Sequence, residues 1–230
     1  MKLKALALAA ALATLASAGN AASIGVYGSY PSSAYVNALS SFGHTVVNVA
    51  TADAASLTGL DVLVLGRYQT GNAEIAAFIS GGGMLITEWS STAYGMSLLG
   101  GSSQDDYSSY FTNDTITVTA EGIALGLGSY QDAGATEFFQ NFTNLGSGTV
   151  YARRGSNNAV AVVGGAFGAG FIWANGYDWA DDGTDLTFTF LNSQITANFD
   201  TGGGNVPEPA GLALVGAALL GASLTRRRRA

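Results

Sequence analysis

The sequence predicts an α/β domain, with a mostly parallel sheet flanked by helices and β-hairpins added in its second half. Three observations carry this reading. Short apolar runs alternate with helix-spaced segments from Ser23 to Thr87. Two of those runs, Val62-Leu63-Val64-Leu65 and Met84-Leu85-Ile86-Thr87, have no wet face, as strands covered on both sides require. Beyond residue 115 the strand-like runs follow one another with turns between them, which favours antiparallel pairing.

Each element has a local reason. Ser23-Ile24-Gly25-Val26-Tyr27 is a short apolar strand, and residues 28–31 form a turn. Ser32 and Ser33 can cap a helix whose apolar positions Tyr35, Val36, Leu39 and Phe42 keep helical spacing, and Gly43 ends it. Thr45-Val46-Val47-Asn48-Val49 is the second strand and residues 60–65 the third. Asn72 caps a helix carrying Ile75, Phe78 and Ile79, and Gly81-Gly82-Gly83 breaks it before the fourth strand. In the second half, residues 115–119 alternate Thr/Ile/Thr/Val/Thr, a strand with one wet face. Residues 149–152 and 159–163 are further strands. The glycine-rich stretch 164–170 is expected to turn the chain into Phe171-Ile172-Trp173-Ala174. Asp181 or Asp182 can cap a closing helix with Leu186, Phe190, Leu191 and Ile195 facing inward.

Composition excludes several functions. The 230 residues include no cysteine, one histidine and 11% charged side chains. No disulfide, thiol nucleophile or cysteine zinc site is available. Lys2 and Lys4 stand at one end and Arg226, Arg227, Arg228 and Arg229 at the other. Between them lie three arginines and all sixteen acids, a net charge of −13. Nucleic-acid binding needs clustered cations and is therefore not expected.

The two ends read as addresses. Residues 1–22 have a basic start, an apolar run over residues 5–16 too short for a permanent span, and an A-x-A site at Ala16-Ser17-Ala18, with Ala21 or Ala22 as later alternatives. This is the pattern of a secretory signal, to be removed by signal peptidase. Residues 23–200 make one domain, residues 201–205 a Gly-rich linker, and residues 206–230 a separate terminal segment. That segment joins Val206-Pro207-Glu208-Pro209, an apolar run over residues 210–224, and the four arginines. Its fifteen apolar residues reach only about 22 Å at ~1.5 Å each, so it crosses a bilayer of ~30 Å only with help from Pro207 onward and from snorkelling arginine stems. The arginines should stay cytoplasmic.

Residues 206–230 resemble the PEP-CTERM sorting signal, with all three parts in order. The resemblance implies an exported protein of a Gram-negative bacterium that makes exopolysaccharide. Its membrane helix would be transient, and a membrane-embedded exosortase would cut near Pro207-Glu208-Pro209. Residues 23–198 resemble the class I glutamine amidotransferase-like domain, a flavodoxin-like fold, through DVLVLG, GGGMLITEW and the late GAFGAGFIWANGYDW. Catalytic members carry a cysteine at the sharp turn where this chain has Glu88 and Trp89, and their partner histidine is also missing. Glutamine hydrolysis therefore does not carry over, and no enzyme activity is expected. What the two resemblances imply together is a binding or structural component associated with exopolysaccharide.

Candidate site residues follow from the sheet, because ligands gather outside the carboxyl ends of parallel strands. Those ends contribute Tyr30 beside Ser29, then Arg67 and Tyr68, Glu88 and Trp89, and Tyr177, Asp178 and Trp179. Aromatic faces could stack on a sugar while Arg67, Glu88 and Asp178 bond its hydroxyls. Alternatively the aromatics close the top of the core and Arg67 pairs with Glu88. A hydrolase remains the alternative function, with Glu88 and Asp178 as its two carboxylates. His44 falls at the opposite pole, as a surface or loop residue. Asp178, Asp181, Asp182 and Asp185 are a weak Ca²⁺ candidate, since their spacing departs from the usual loop pattern and helix capping explains part of it. Gly81-Gly82-Gly83 precedes a strand instead of opening a helix, so no phosphate loop and no cofactor is expected.

Overall fold

The computed structural model describes residues 21–28, 32–106, 111–128, 136–138, 140–177 and 185–197. Most of the expected signal segment, the expected linker and the terminal segment lie outside them, as do Tyr30, Asp178, Trp179, Asp181 and Asp182. No helix among the described residues is long and apolar enough to cross a membrane.

The chain begins with β1 (Ser23–Tyr27), α1 (Ser32–Ser41), β2 (Thr45–Val49), α2 (Ala54–Leu57), β3 (Val62–Leu65), α3 (Ala73–Ser80) and β4 (Met84–Thr87). Asn72 caps α3 as its sequence suggests, its side chain accepting the Ile75 N–H at 2.8 Å. A 3-10 turn (Trp89–Ser91) then leads into α4 (Thr92–Leu98), which the sequence pattern does not announce. Next come β5 (Ser102–Asp105), β6 (Phe111–Asp114), β7 (Ile116–Val118), α5 (Ala120–Ala124), β8 (Thr136–Phe138) and β9 (Gln140–Asn144). The chain closes with β10 (Thr149–Arg154), β11 (Val160–Phe167), β12 (Gly170–Asn175) and α6 (Asp185–Thr196).

Among the described residues, eight strands make the main sheet in the order β2-β1-β3-β4-β12-β11-β10-β7. β1, β2, β3, β4 and β12 are parallel, while β11, β10 and β7 continue the sheet by antiparallel pairing. β5–β9 and β6–β8 are separate antiparallel pairs. The predicted mixed α/β architecture is what the chain adopts.

Alternation along the central strands divides the core into two layers. Val62, Val64, Met84, Ile86 and Trp173 pack with Tyr35 and Leu39 of α1 and with Phe190, Leu191 and Ile195 of α6. Leu63, Leu65, Leu85, Ile172 and Ala174 pack on the other side with Ile75 and Ile79 of α3 and Met96 of α4. Both faces are thus covered, which accounts for the unbroken apolar runs.

Two expectations need correction. The glycine-rich stretch 164–170 is mostly strand, because β11 runs to Phe167 and the hairpin turn is confined to Gly168 and Ala169. A Cβ on Gly164 would lie 2.9 Å from the Phe171, Trp173 and Tyr151 rings, so glycine there makes room for aromatic packing within the sheet. Phe42 does not face the core. It lies just past the end of α1 and is 41% exposed, since the turn closed by its N–H to the Leu39 carbonyl rotates it away.

Candidate functional site

The parallel strands bring the ends of β1, β3, β4 and β12 to one pole. There Gly66 N–H donates to the Tyr27 carbonyl at 2.9 Å, tying the β3 exit to the end of β1. Arg67 N–H donates to Glu88 Oε1 at 3.1 Å, and Tyr68 N–H to Ser90 Oγ at 3.2 Å. Ser91 Oγ donates a short bond to the Gly66 carbonyl. The turns after β3 and β4 are thereby bonded to each other. Arg67, Tyr68, Glu88 and Trp89 do come together, as the strand order requires.

Their burial differs from what a sugar platform needs. Glu88 and Tyr177 are fully buried, and Arg67 and Trp89 are each 6% exposed. The Arg67 guanidinium lies over the Trp89 ring, 4.4 Å from its centroid, a cation–π contact inside the protein. Tyr177 packs edge-on against Phe138 at 5.8 Å and lies against Phe190 at 6.3 Å. Among these described residues only Tyr68 reaches solvent, at 66% exposure. Of the two readings of these aromatics, closure of the core describes Trp89 and Tyr177.

Two residues at this pole hold left-handed backbone, Tyr68 at φ 64° and Trp89 at φ 50°. For bulky side chains this conformation costs on the order of 1–3 kcal/mol and persists only where the surroundings enforce it. The hydrogen bonds between the two turns supply that enforcement. Trp89 therefore occupies the sharp turn after β4 with its ring turned under Arg67.

Sequence reasoning missed Tyr35. From α1 its buried hydroxyl faces the Glu88 carboxyl without completing a well-formed hydrogen bond. Burial pushes the phenol well above its ordinary value, and the adjacent Glu88 charge adds to the effect. The helical spacing marked Tyr35 as core but gave no sign that its tip meets a residue fifty-three positions later. Below the pole, a buried polar chain also escaped notice. Asn175 Nδ2 donates to the Thr87 carbonyl at 3.0 Å, Gln194 Nε2 donates to Asn175 Oδ1 at 2.8 Å, and Trp173 Nε1 donates to the Gln194 carbonyl at 3.1 Å. This chain locks β4, β12 and α6 together.

A polar pocket opens where β10 ends and β11 begins, lined by Asp106, Gln140, Asn141, Phe142, Arg154 and Asn157 among others. β10 runs in the same direction as β4 and β12, so the pocket lies at the same pole as Tyr68. Gln140 is 4% exposed, its Nε2 donates to Asp105 Oδ1, and its Oε1 is buried without a hydrogen-bond partner.

His44 stands at the amino end of β2, away from this pole, as its position in the sequence implies. It is not a surface residue, however. It is 7% exposed, its Nδ1 accepts the Ala22 N–H at 3.0 Å, and its Nε2 meets Asn192 Oδ1 at 2.7 Å. The imidazole is a structural pin between the start of β1 and α6, held as the Nε2–H tautomer by those two partners. Of the acidic cluster, only the backbone of Asp185 is described, at the start of α6. Among the described residues no group of three or more His, Asp or Glu side chains is arranged to hold a metal.

Comparison with known proteins agrees with this architecture. Residues 205–229 match the PEP-CTERM protein-sorting motif, so the chain carries the signal of an exported protein processed by an exosortase. No curated protein sequence matches the chain. Among solved structures, a GMP synthase-type protein from Thermoplasma acidophilum superposes with TM-score 0.56 at 18% identity, over 76% of this chain and 93% of that one. A cold-adapted β-galactosidase from Rahnella sp. R3 gives TM-score 0.54 at 14% identity over 78% of this chain, which spans only 32% of the enzyme. A cytoplasmic protein from Salmonella typhimurium LT2 gives 0.55 at 10% identity, covering 76% of this chain and 99% of that one. At these identities the likeness is one of fold alone, a mixed α/β fold with a large, mostly parallel sheet flanked by helices.

Proposed function

We propose that the mature protein is a non-catalytic component of the cell exterior that associates with exopolysaccharide. The sorting motif at residues 205–229 carries this reading, because it marks the chain for export and exosortase processing, and the exterior is where such polymers would be met. Burial at the strand-end pole supports a binding or structural role over the hydrolase alternative. A carboxylate serving as general acid or base must reach its substrate, whereas Glu88 is enclosed and bonded to the Arg67 backbone. Sugar contact falls to Tyr68, whose exposed ring can stack on a pyranose face, and to the amide-rich pocket around Gln140, Asn141 and Asn157.

The test is binding of the processed protein to the host's own exopolysaccharide, compared with Tyr68→Ala. Loss of one aromatic contact should weaken binding by about 2- to 10-fold. No binding by the wild type overturns the reading. After loss of the N-terminal signal segment with Lys2 and Lys4, and cleavage behind Val206, the chain keeps fifteen acids and three arginines, a net charge of −12. Such a chain repels anionic polymers, so association with an acidic polysaccharide should require Ca²⁺ or Mg²⁺ and disappear with chelator. Binding to that acidic polymer unchanged by chelator counts against it.

We also infer that the mature chain keeps Ala22. Ala22 gives its N–H to His44 and its carbonyl to the Thr45 N–H. Cleavage after Ala22 would destroy that attachment, whereas cleavage after Ala18 leaves it whole. We expect intact mass and N-terminal sequencing of the exported protein to place Gly19 first. A start at Ser23 would refute this.

A further inference from the structure

Among the described residues, no strand lies against the outer edge of the main sheet at β2. Among the described strands β2 pairs only with β1, in parallel, with Thr45 opposite Ser23. The Thr45 N–H donates to the Ala22 carbonyl at 3.0 Å, and backbone groups along a strand alternate in direction. Thr45, Val47 and Val49 therefore turn their peptide groups toward β1, while Val46 and Asn48 turn theirs outward. Beside these outward-turned groups Val47 is 45% exposed.

Natural edges are usually blunted by lysine, proline or an inward-pointing charge. This one has none of these. No charged side chain occurs anywhere from residue 5 to residue 52, and the first acid is Asp53. All the acids of a strongly negative chain are thus kept off the segment that forms β1, α1 and β2. Two copies repel one another through their acidic surface, but the strand that forms this edge carries no charged side chain of its own. That segregation points to a second copy of the same chain as the occupant, since the matching edge is then supplied by symmetry.

We propose that the processed protein forms a two-fold dimer by antiparallel pairing of its β2 edges, with Val47 at the axis. The outward groups dictate this register. Val46 faces Asn48 of the second copy, and Asn48 faces Val46 of the second copy, each as a doubly hydrogen-bonded pair. Val47 then stands opposite its own equivalent in the non-hydrogen-bonded position, where Cα atoms approach to about 4.5 Å. The two exposed valines cover each other, and the eight-stranded sheets become continuous.

The chain contains no cysteine, so Val47→Cys and Asn48→Cys each introduce a unique thiol. The processed wild type should sediment at twice its monomer mass, and Val47→Lys at once that mass with an unchanged circular dichroism spectrum. Oxidation with copper-phenanthroline should link Val47→Cys into a covalent dimer, because a non-hydrogen-bonded pair falls within disulfide reach. Asn48→Cys, equally near the edge but opposite Val46 on the other face, should stay unlinked. A wild type that remains monomeric at its solubility limit overturns the proposal. So does equal linking of the two cysteine variants, or failure of Val47→Cys to link.

Discussion

Replacing Pro207, Glu208 and Pro209 together with alanine should leave the full-length protein in the membrane fraction, at its unprocessed C-terminal mass. The two prolines flank the acid, remove two backbone donors and hold the residues before them extended. Alanines in their place favour a helical backbone across the segment, since alanine is the best helix former and proline the poorest. A protease needs an extended backbone to seat the scissile bond, so the change removes conformation as well as recognition. Four terminal arginines favour cytoplasmic retention of that end, so an uncut terminus should stay with the membrane. The expected effect is nearly complete loss of the released form, read by immunoblot of cell fractions and by mass spectrometry of the C-terminus. Normal release of a shortened chain would reject exosortase processing at this motif. The domain should remain folded in either case, because the described core closes with α6 ahead of the linker.

Much of this architecture is legible in the sequence, and the rest is hidden for definite reasons. Val62–Leu65 is fully buried at every position, so its apolar run has one interpretation. Asn72 and the Gly81-Gly82-Gly83 break delimit α3 because caps act locally, with Gly82 at φ 117° just past the helix end. The glycines of β11 misled because glycine in a sequence signals a turn, whereas here the rings of residues from two other strands need the space. Helix α4 was invisible for a similar reason. It carries Gly95 at its centre, where a Cβ would press on Thr87 and Ile172 at 3.2–3.3 Å, so tertiary packing overrides the low helix propensity of glycine. At the candidate site, strand order predicted that Arg67, Tyr68, Glu88 and Trp89 would meet. Which of them faces water depends on backbone turns of a few residues, such as the left-handed Trp89, and on Tyr35 arriving from a distant helix. Neither leaves a periodic trace.

Glu88 is the residue at that pole whose replacement should cost most. Its side chain is fully buried, its Oε1 accepts the Arg67 N–H at 3.1 Å, and the Arg67 guanidinium lies over the neighbouring Trp89. Glu88→Ala strands that amide, opens a cavity and removes a negative charge from the surroundings of a buried guanidinium. Removing one partner from such a buried set typically costs about 2–4 kcal/mol. For a domain of this size that corresponds to a fall in Tm of roughly 5–15 °C. Glu88→Gln keeps the volume and an acceptor oxygen for Arg67 N–H, and should lose only about half as much. Urea and thermal unfolding of the processed proteins measure both. Tyr35 supplies a second readout at alkaline pH. Its folded-state value is raised above the ordinary 10.0, so the folded protein holds the phenolic proton more tightly than the unfolded chain. Stability from this source is complete below about pH 10 and is lost as pH rises beyond it. Because burial is the first cause and Glu88 the second, Glu88→Gln should lower the phenol's titration, followed by ultraviolet absorbance, without restoring its ordinary value. If Glu88 served a substrate and not the fold, Glu88→Ala would leave the unfolding midpoint where it is in the wild type, or raise it. An architectural carboxylate lowers that midpoint when removed, while the Tyr35 titration falls in either case because the adjacent charge is gone.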